Sequence, residues 1–350
     1  MPNELSRRDF IHRAQRVALA TPFLSLLGCG GEDAAGLVSL SGKTMGTTYD
    51  VKLADPPQDL DRTALAREIG GILQTVDRRM STYRPDSELS RFNAAATGTW
   101  TPVSVDTWTV VDEALGVSRL TDGAFDPTVG PIVDLWGFGA GAGEPRVPPP
   151  GEIEAARALA SFARIETRRD PAAVTKKDAG IRLDLSGVAK GFGVDQVAEH
   201  LQARGLGNFL VEVGGELRAG GHGPGGRPWR VGIEKPTEVS SDLQRVVDLD
   251  GEALATSGNY RIFFERDGQR YSHIVDPRSG RPVDHDLASA SVVAASAMEA
   301  DALSTALLVL GADAGMDLAR EHGIAAFFVT GRRGGFAEAS SPAFEARFKS

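Results

Sequence analysis

Asp184-Leu185-Ser186-Gly187-Val188-Ala189-Lys190-Gly191 brings a carboxylate, a tight glycine turn and an ammonium to the junction of a predicted strand and a predicted helix. Residues 181–185 alternate apolar and polar side chains, as a half-buried strand does, and helical spacing relates Val194, Val197, Ala198 and Leu201. Free N–H groups and the positive dipole end at a helix start attract an anion, and Lys190 would add a mobile charge. The stretch therefore suits a phosphate site, although a structural turn with one exposed lysine explains it equally well.

A second segment, Asp301-Ala302-Leu303-Ser304-Thr305, lies in a predicted helix that begins at the capping box of Ser296 and Glu299. The predicted buried stripe of this helix consists of Leu303, Ala306, Leu307 and Leu310. Asp301, Ser304 and Thr305 share another face, where i, i+3 and i+4 spacing brings their oxygens together. With a nearby carbonyl, these are the hard oxygen ligands that Mg²⁺ accepts. The alternative is that the three side chains are merely solvated.

A third segment is a predicted β-hairpin, in which Asp267-Gly268 joins the runs Arg261 to Arg266 and Gln269 to Val275. His273 lies near the end of the returning strand, before an Asp-Pro turn at Asp276. Histidine is a natural general base near neutral pH. A histidine at a strand end can also be purely structural.

Together these segments resemble the ApbE family of FAD:protein FMN transferases, from about Ser41 to near the C-terminus. The landmarks occur in family order: Met45–Thr47, Met80–Tyr83, Ser87–Asn93, Asp122–Thr128, Asp184–Gly191, Gly214–Gly215, Ser257–Tyr260, His273–Gly280 and Ala300–Thr305. Two features depart from the pattern, namely Glu216, where Asp is expected, and the Gly- and Pro-rich stretch Gly137–Pro150. Neither departure is expected to touch the residues assigned to chemistry.

The resemblance implies an α/β (α+β) fold with two lobes and FAD in the cleft between them. It also implies Mg²⁺-dependent transfer of the FMN half of FAD to a Thr or Ser hydroxyl of another protein, with release of AMP. By similarity, the FAD site is lined by Met45, Tyr83, Ala124, Phe125, Asp126, Asp184, Lys190 and Ile274. By similarity, Mg²⁺ is held by the carbonyl of Gly187 with Asp301, Thr305 and Ser304.

We expect His273, Lys190 and Asp184 to be catalytic residues, and the chemistry of FMN transfer suggests a role for each. Splitting a pyrophosphate requires neutralising the charge on the attacked phosphorus and on the departing AMP, which Lys190 and Mg²⁺ would do. His273 would remove the proton of the acceptor hydroxyl, and Asp184 would contact ribityl or adenosine hydroxyls. Tyr83 is expected to stack on a flat ring of FAD, with ordinary core packing as the alternative.

The N-terminal residues predict export. Ser6-Arg7-Arg8-Asp9-Phe10-Ile11 resembles a twin-arginine signal, and the apolar region Val17–Leu27 is too short to span a bilayer. Leu26-Leu27-Gly28-Cys29 is typical of a lipobox, with the only cysteine of the chain, Cys29, as the lipidated residue. We therefore expect an export signal over 1–28, a tether over 29–40 and a flavin transferase domain over 41–350, with a lobe boundary near 137–151. The mature protein would be anchored on the periplasmic side of a bacterial membrane after Tat or Sec export.

The charge composition of the chain limits which class of partner it is expected to bind. The formal net charge of −9 disfavours nucleic acid. By similarity, the acceptor is an exported or membrane redox subunit with an Asp-Gly-x-Ser/Thr-Gly-Ala-Ser/Thr flavinylation motif. Two alternatives stay open: a Mg²⁺-dependent FAD pyrophosphatase, in which water replaces the hydroxyl, and a flavin-binding lipoprotein without turnover.

Overall fold

A computed structural model describes residues 36–237, 242–332 and 334–348. The predicted export signal and the predicted lipidation site Cys29 lie outside these residues. The first strand begins at Leu37, so residues 37–40, which the sequence pattern places in the tether, belong to the folded domain. Val38 and Leu40 explain the difference, because both are buried against the core on one face of that strand.

The helices of the described residues are mostly short. They are α1 (Arg62–Met80), α2 (Glu88–Ala94), α3 (Val105–Leu120), α4 (Gly130–Trp136), α5 (Pro150–Arg157), α6 (Ala189–Ala203), α7 (Ala297–Leu310), α8 (Ala312–Glu321) and α9 (Pro342–Arg347). Two 3₁₀ turns cover Phe162–Arg164 and Pro224–Gly226. No helix within these described ranges is long and apolar enough to cross a membrane.

The strands pair only in antiparallel fashion among the pairings described. They are β1 (Leu37–Thr44), β2 (Thr47–Ala54), β3 (Thr101–Pro102), β4 (Ile165–Arg169), β5 (Ala172–Lys176), β6 (Phe209–Val213), β7 (Glu216–Gly220), β8 (Trp229–Glu234), β9 (Leu243–Leu249), β10 (Ala253–Gly258), β11 (Phe263–Arg266), β12 (Gln269–Ser272), β13 (Val275–Asp276), β14 (Arg281–Pro282), β15 (Leu287–Ala294), β16 (Ala325–Arg332) and β17 (Gly335–Ser340). An eight-stranded sheet has the order β1-β2-β6-β7-β10-β15-β16-β17. The predicted mixed α/β (α+β) class is confirmed.

The central sheet is covered on both faces. Helices α1, α6 and α7 bury their apolar side chains against one face, in two clusters that include Val211, Val213 and Val292. The β8–β9 hairpin and α9 cover the other face, where Trp229, Phe327 and Phe344 are buried. Burial of such large side chains is the main favourable term in folding. The α6–α7 layer carries the two predicted site segments and holds them on one side of the sheet.

Two local sequence signals are confirmed. Ser296 is the N-cap of α7, and its side chain accepts a hydrogen bond from the Glu299 N–H at 3.2 Å. The predicted hairpin is β11–β12, and its Asp267-Gly268 turn has φ values of 52° and 78°. Both residues thus take the left-handed conformation of a type I′ turn, which glycine adopts without strain and aspartate tolerates.

The prediction of a strand over 181–185 is wrong, although Ile181, Leu183 and Leu185 are buried alternately as expected. Asn93 takes the place of a neighbouring strand. Its side-chain amide donates to the Leu183 carbonyl at 2.9 Å, and its side-chain oxygen accepts from the Leu183 N–H at 2.8 Å. Lys176 Nζ also donates to the Ile181 carbonyl at 3.1 Å, and the Asp184 N–H donates to the Pro127 carbonyl at 2.7 Å. The extended segment is therefore hydrogen-bonded by side chains and by a loop, and it joins no sheet.

The lobe boundary near 137–151 stays a prediction. Residues 137–149 link α4 to α5, and the helix α5 begins at Pro150. Ile132 and Trp136 of α4 pack in one small cluster with Ile153 of α5 and Val275. The link therefore joins two helices that share a core.

Candidate functional site

The Lys190 side chain lies at the centre of the candidate site. Its Nζ donates to the Ser186 carbonyl at 3.0 Å and lies 3.6 Å from Asp301 Oδ2 and 3.5 Å from Glu216 Oε1. Burial disfavours the charged form, but the Asp301 and Glu216 carboxylates outweigh it and raise the pKa of Lys190. The two segments singled out in the sequence therefore meet, and the lysine between them is an ammonium.

Asp301 also places its negatively charged carboxylate at the start of α6. Its Oδ2 accepts a hydrogen bond from the Gly191 N–H at 3.1 Å, in the first turn of that helix. Gly191 allows this approach, because a Cβ at that position would lie 2.1 Å from the Ala297 carbonyl oxygen. The predicted anion site at this helix start is thus occupied by a carboxylate of the protein itself.

Asp301 and Ser304 do not lie on a wet helix face. Asp301 is only 2% exposed and Ser304 is fully buried, because α7 is enclosed by the sheet and by neighbouring helices. Burial raises the pKa of Asp301, while the Lys190 charge opposes the rise. The alternative of simply solvated side chains is therefore wrong for these two residues.

Gly187 and Thr305 lie next to each other, as the predicted metal set requires. A Cβ at Gly187 would be 3.3 Å from Thr305 Oγ1 and 3.2 Å from the Phe125 ring. One carboxylate, one hydroxyl and one carbonyl make an oxygen set that Mg²⁺ accepts together with water and phosphate oxygens. No cluster of three His, Cys, Asp or Glu side chains that could hold a metal occurs in the described ranges. The residues present fit Mg²⁺ better than a transition metal.

Ser304 and Thr305 differ in their surroundings. The Ser304 hydroxyl donates to the Asp301 carbonyl at 3.0 Å and contacts Ser257 Oγ at 2.9 Å. The same Ser257 oxygen lies 3.0 Å from Thr305 Oγ1. Ser304 is thus committed to protein partners, and its place in the metal set stays a prediction. Ser257, at the end of β10, is a landmark of the resemblance and acquires a contact role only in the structure.

His273 follows β12 directly and is half-buried. Its Nδ1 lies 3.2 Å from the Ile262 carbonyl, and its backbone N–H donates to the same oxygen at 3.0 Å. A carbonyl can only accept, so Nδ1 carries the proton and Nε2 keeps a free electron pair. The pKa of His273 is lowered to about 4. Burial is the main cause and the Lys190 charge contributes, while the hydrogen bond to the Ile262 carbonyl opposes the shift. The imidazole is therefore neutral and lies within electrostatic reach of Lys190.

The predicted FAD-lining residues of the 124–126 turn are buried. Ala124 is 1% exposed and Phe125 is 5% exposed. Asp126 Oδ1 accepts from the backbone N–H and the hydroxyl of Thr128, at 2.8 and 2.6 Å, and Oδ2 accepts from the Phe162 N–H at 3.0 Å. The Asp126 carboxylate therefore shapes this turn, and its contact with FAD stays a prediction.

Tyr83 and Asp184 face the same region from two loops. Tyr83 is 73% exposed, so the alternative of core packing is wrong. Desolvation raises the pKa of Tyr83, and the negative charges of Asp184 and Asp134 raise it further. Asp184 Oδ1 accepts from the Ser186 N–H at 2.9 Å, which makes a short turn ahead of α6.

Met45 and Ile274 both pack against the core cluster that contains residues of α7. Met45 is half-buried with a φ of 44°, and a Cβ at Gly193 of α6 would lie 3.2 Å from its Cε. Ile274 is half-buried beside His273 and packs against the core that contains α7. The contact of Met45 and Ile274 with FAD stays a prediction.

Glu216 contradicts the expectation that departures from the family pattern lie away from the residues assigned to chemistry. It follows the Gly214-Gly215 turn, is 5% exposed, and contacts Lys190 directly. Burial raises the pKa of Glu216 well above its usual value, and the Lys190 charge counteracts this. The departure at position 216 therefore does touch a residue assigned to chemistry. Sequence reasoning missed it because the contact joins β7 to α6, which only the folded chain brings together.

Comparison with known proteins accounts for this architecture. A family model described as ApbE family matches residues 45–328. The chain belongs to the ApbE family. It is similar to the FAD:protein FMN transferase of Vibrio cholerae, with 44% identity over 329 residues that cover 94% of this chain and 97% of that protein. A second relative, the FAD:protein FMN transferase of Haemophilus influenzae, is 42% identical and covers 92% of this chain and 94% of its own length.

Solved ApbE structures match the fold. The flavin transferase ApbE from Vibrio cholerae aligns with a TM-score of 0.82 and 42% identity, covering 89% of this chain and 99% of that one. The apo flavinyl transferase ApbE from Pseudomonas stutzeri aligns with a TM-score of 0.82 and 41% identity, covering 90% and 97%. The predicted ApbE resemblance and the ApbE-like fold are therefore confirmed, while the individual site residues stay predictions.

Proposed function

We propose that this protein is an FAD:protein FMN transferase that requires Mg²⁺. The oxygen of a Thr or Ser hydroxyl on an acceptor protein attacks the phosphorus of the FMN half of FAD. A new phosphoester P–O bond forms, the pyrophosphate P–O bond breaks, and AMP leaves with the bonding electron pair. The names of the relatives support the reaction class.

The observation that carries this proposal is the meeting of Lys190, Asp301 and the Gly187–Thr305 pair at the start of α6. Asp301, Thr305 and the Gly187 carbonyl would hold Mg²⁺, with Ser304 as a further candidate. The bound ion would supply positive charge to the pyrophosphate oxygens. Lys190 would neutralise charge on the phosphates as the P–O bond breaks, since an ammonium in a buried site acts strongly on nearby charge.

His273 would receive the proton of the acceptor hydroxyl. Because Nδ1–H is directed to the Ile262 carbonyl, Nε2 is the nitrogen available to accept it. The low pKa of His273, caused first by burial, keeps the imidazole neutral in the free protein. The negative pyrophosphate of bound FAD would raise this pKa towards neutrality and make the imidazole a better base.

The flavin and adenosine parts of FAD would lie in the cleft between the two lobes that the family resemblance implies. The exposed ring of Tyr83 is available to stack on a flat ring of FAD. Asp184 would accept hydrogen bonds from ribityl or adenosine hydroxyls. The remaining proposed lining residues are Met45, Ala124, Phe125, Asp126 and Ile274.

We place the mature protein on the periplasmic side of a bacterial membrane, anchored by lipid at Cys29 and exported by the Tat or Sec route. The support is the sequence of the export signal and lipobox. An exported or membrane redox subunit with a flavinylation motif would be the acceptor. Cells fed radiolabelled palmitate would test the anchor, because the unchanged chain should take up the label and Cys29→Ser should not.

The function is tested by incubating the protein with FAD, Mg²⁺ and a folded acceptor domain, and by following acceptor mass and AMP. We expect a mass gain of one FMN that is absent with Asp301→Ala. AMP and free FMN without a modified acceptor would instead indicate a pyrophosphatase. Stoichiometric FAD binding without any AMP would indicate a flavin-binding lipoprotein.

A further inference from the structure

Glu216 is a buried acidic residue in contact with Lys190, and the proposed reaction gives it no role. Its Oε1 lies 3.5 Å from Lys190 Nζ, and the same nitrogen lies 3.6 Å from Asp301 Oδ2. Glu216 Oε2 is buried and has no hydrogen-bond partner within the described ranges. One ammonium therefore lies between two buried carboxylates, one of which retains an unused oxygen.

A divalent cation at Asp301 would disturb this arrangement. It would attract the carboxylate that Lys190 now contacts, and it would repel the ammonium, because like charges a few ångströms apart repel strongly in a buried site. Lys190 would then need another acceptor for its charge, because its side chain is only 27% exposed and an ammonium largely removed from water is costly to leave unpaired. The Ser186 carbonyl is neutral, whereas Glu216 is a carboxylate already in contact.

We infer that Glu216 is a positioning residue that receives the Lys190 ammonium when a divalent cation binds at Asp301. The ammonium shifts from between two carboxylates to a contact with both oxygens of Glu216, and Asp301 is released to the metal. Glu216 Oε2, which has no hydrogen-bond partner among the described residues, then accepts a hydrogen bond from the ammonium. Lys190 stays charged and close to the start of α6 in the metal-loaded site. The inference rests on the proposed function, because it takes Asp301 as the metal ligand.

The backbone around Glu216 favours this role. The Gly214-Gly215 turn before it has φ values of 64° and 109°, which only glycine adopts readily. A Cβ at Gly214 would lie 3.4 Å from Lys190 Cδ and 2.9 Å from Thr47 Cγ2. The turn thus packs along the lysine side chain and leaves little freedom except at its ammonium end, where Glu216 lies.

The test measures the affinity of the full-length chain for Mn²⁺, from the loss of the free-ion electron paramagnetic resonance signal. Four proteins form a double-mutant cycle: wild type, Glu216→Gln, Lys190→Met and the double variant. We expect Glu216→Gln to weaken Mn²⁺ binding about tenfold, because the ammonium then stays on Asp301 and competes with the ion. In the Lys190→Met background the same change should weaken binding less than about twofold.

The outcomes separate this inference from the proposed metal site. Equal weakening by Glu216→Gln in both backgrounds would mean that Glu216 acts on the ion only through its own charge, and would overturn the inference while the metal site stands. Absence of Mn²⁺ binding in wild type, or equal binding in Asp301→Ala, would overturn both. If Glu216→Gln does not fold, Glu216→Met completes the same cycle, because it removes the carboxylate beside Lys190 and keeps the length of the side chain.

Discussion

Asp301→Asn separates the metal-binding role of this residue from its role in folding. The amide keeps the shape of the side chain but removes one of the two carboxylates around Lys190. Lys190 keeps Glu216 at 3.5 Å and the Ser186 carbonyl at 3.0 Å. The lost attraction is offset by the lost cost of burying a second carboxylate beside the first. We therefore expect the free energy of unfolding of the metal-free protein to change by less than about 1 kcal/mol.

The response to Mg²⁺ should change much more. A ligand present at about 100 times its dissociation constant stabilises the folded state by about 2.7 kcal/mol, which corresponds to a rise in melting temperature of about 4 °C for a domain of about 300 residues. We expect wild type to show this rise and Asp301→Asn to show none. The assay is thermal unfolding followed by circular dichroism, with and without Mg²⁺.

Asp195→Asn is a matched control. Asp195 is also a buried carboxylate, 5% exposed, which accepts from the Ala297 and Met298 N–H groups at 3.0 and 2.9 Å and pairs with Arg218 at 2.9 Å. Its loss should cost about 1–3 kcal/mol, because Arg218 is left without its partner, while the Mg²⁺ response persists. A full Mg²⁺ response in Asp301→Asn would refute the metal assignment. If metal-free Asp301→Asn loses more than about 3 kcal/mol in its free energy of unfolding, then the lost attraction to Lys190 is not offset by the lower cost of burying one carboxylate instead of two.

Three further predictions concern the neighbouring residues. His273→Ala should lower the FMN transfer rate by about 10²–10⁴-fold, measured by acceptor mass, with FAD affinity largely kept. Because burial lowers the pKa of His273 to about 4 from 6.5, the unfolded chain binds a proton that the folded chain does not between these pH values. Stability should therefore fall as pH falls from 6.5 to 4, and urea unfolding at pH 7 and pH 5 should show a smaller loss in His273→Gln. Asn93→Ala should cost about 1–3 kcal/mol in urea unfolding, because both backbone groups of Leu183 lose their partner.

The parts of the fold that the sequence predicted are those decided by nearby residues. The cap at Ser296 and the turn at Asp267-Gly268 depend on contacts within three residues, so the chain itself carries the signal. The segment 181–185 has the alternation of a strand but none of its pairing, because Asn93, about ninety residues earlier, bonds both backbone groups of Leu183, and Lys176 and Pro127 bond Ile181 and Asp184. Alternation reports burial and does not report the partner.

The candidate site shows the same division. The spacing of Asp301 and Thr305 within α7 predicted their shared position, but not the burial of Asp301, because the covering elements come from elsewhere in the chain. Glu216 carried no local signal, since a glutamate after two glycines is ordinary in a surface turn. Only the pairing of β7 with β6 and its packing on α6 bring that carboxylate to Lys190.

The charges of the site link its stability to its proposed chemistry. Without metal, one ammonium faces two buried carboxylates, and the excess negative charge attracts a cation. A divalent ion would reverse the sign and leave an excess positive charge beside Lys190 at the start of α6. The metal-free site would therefore bind the pyrophosphate of FAD poorly, and the metal-loaded site would bind it well. We therefore expect Mg²⁺ to bind before FAD or together with it.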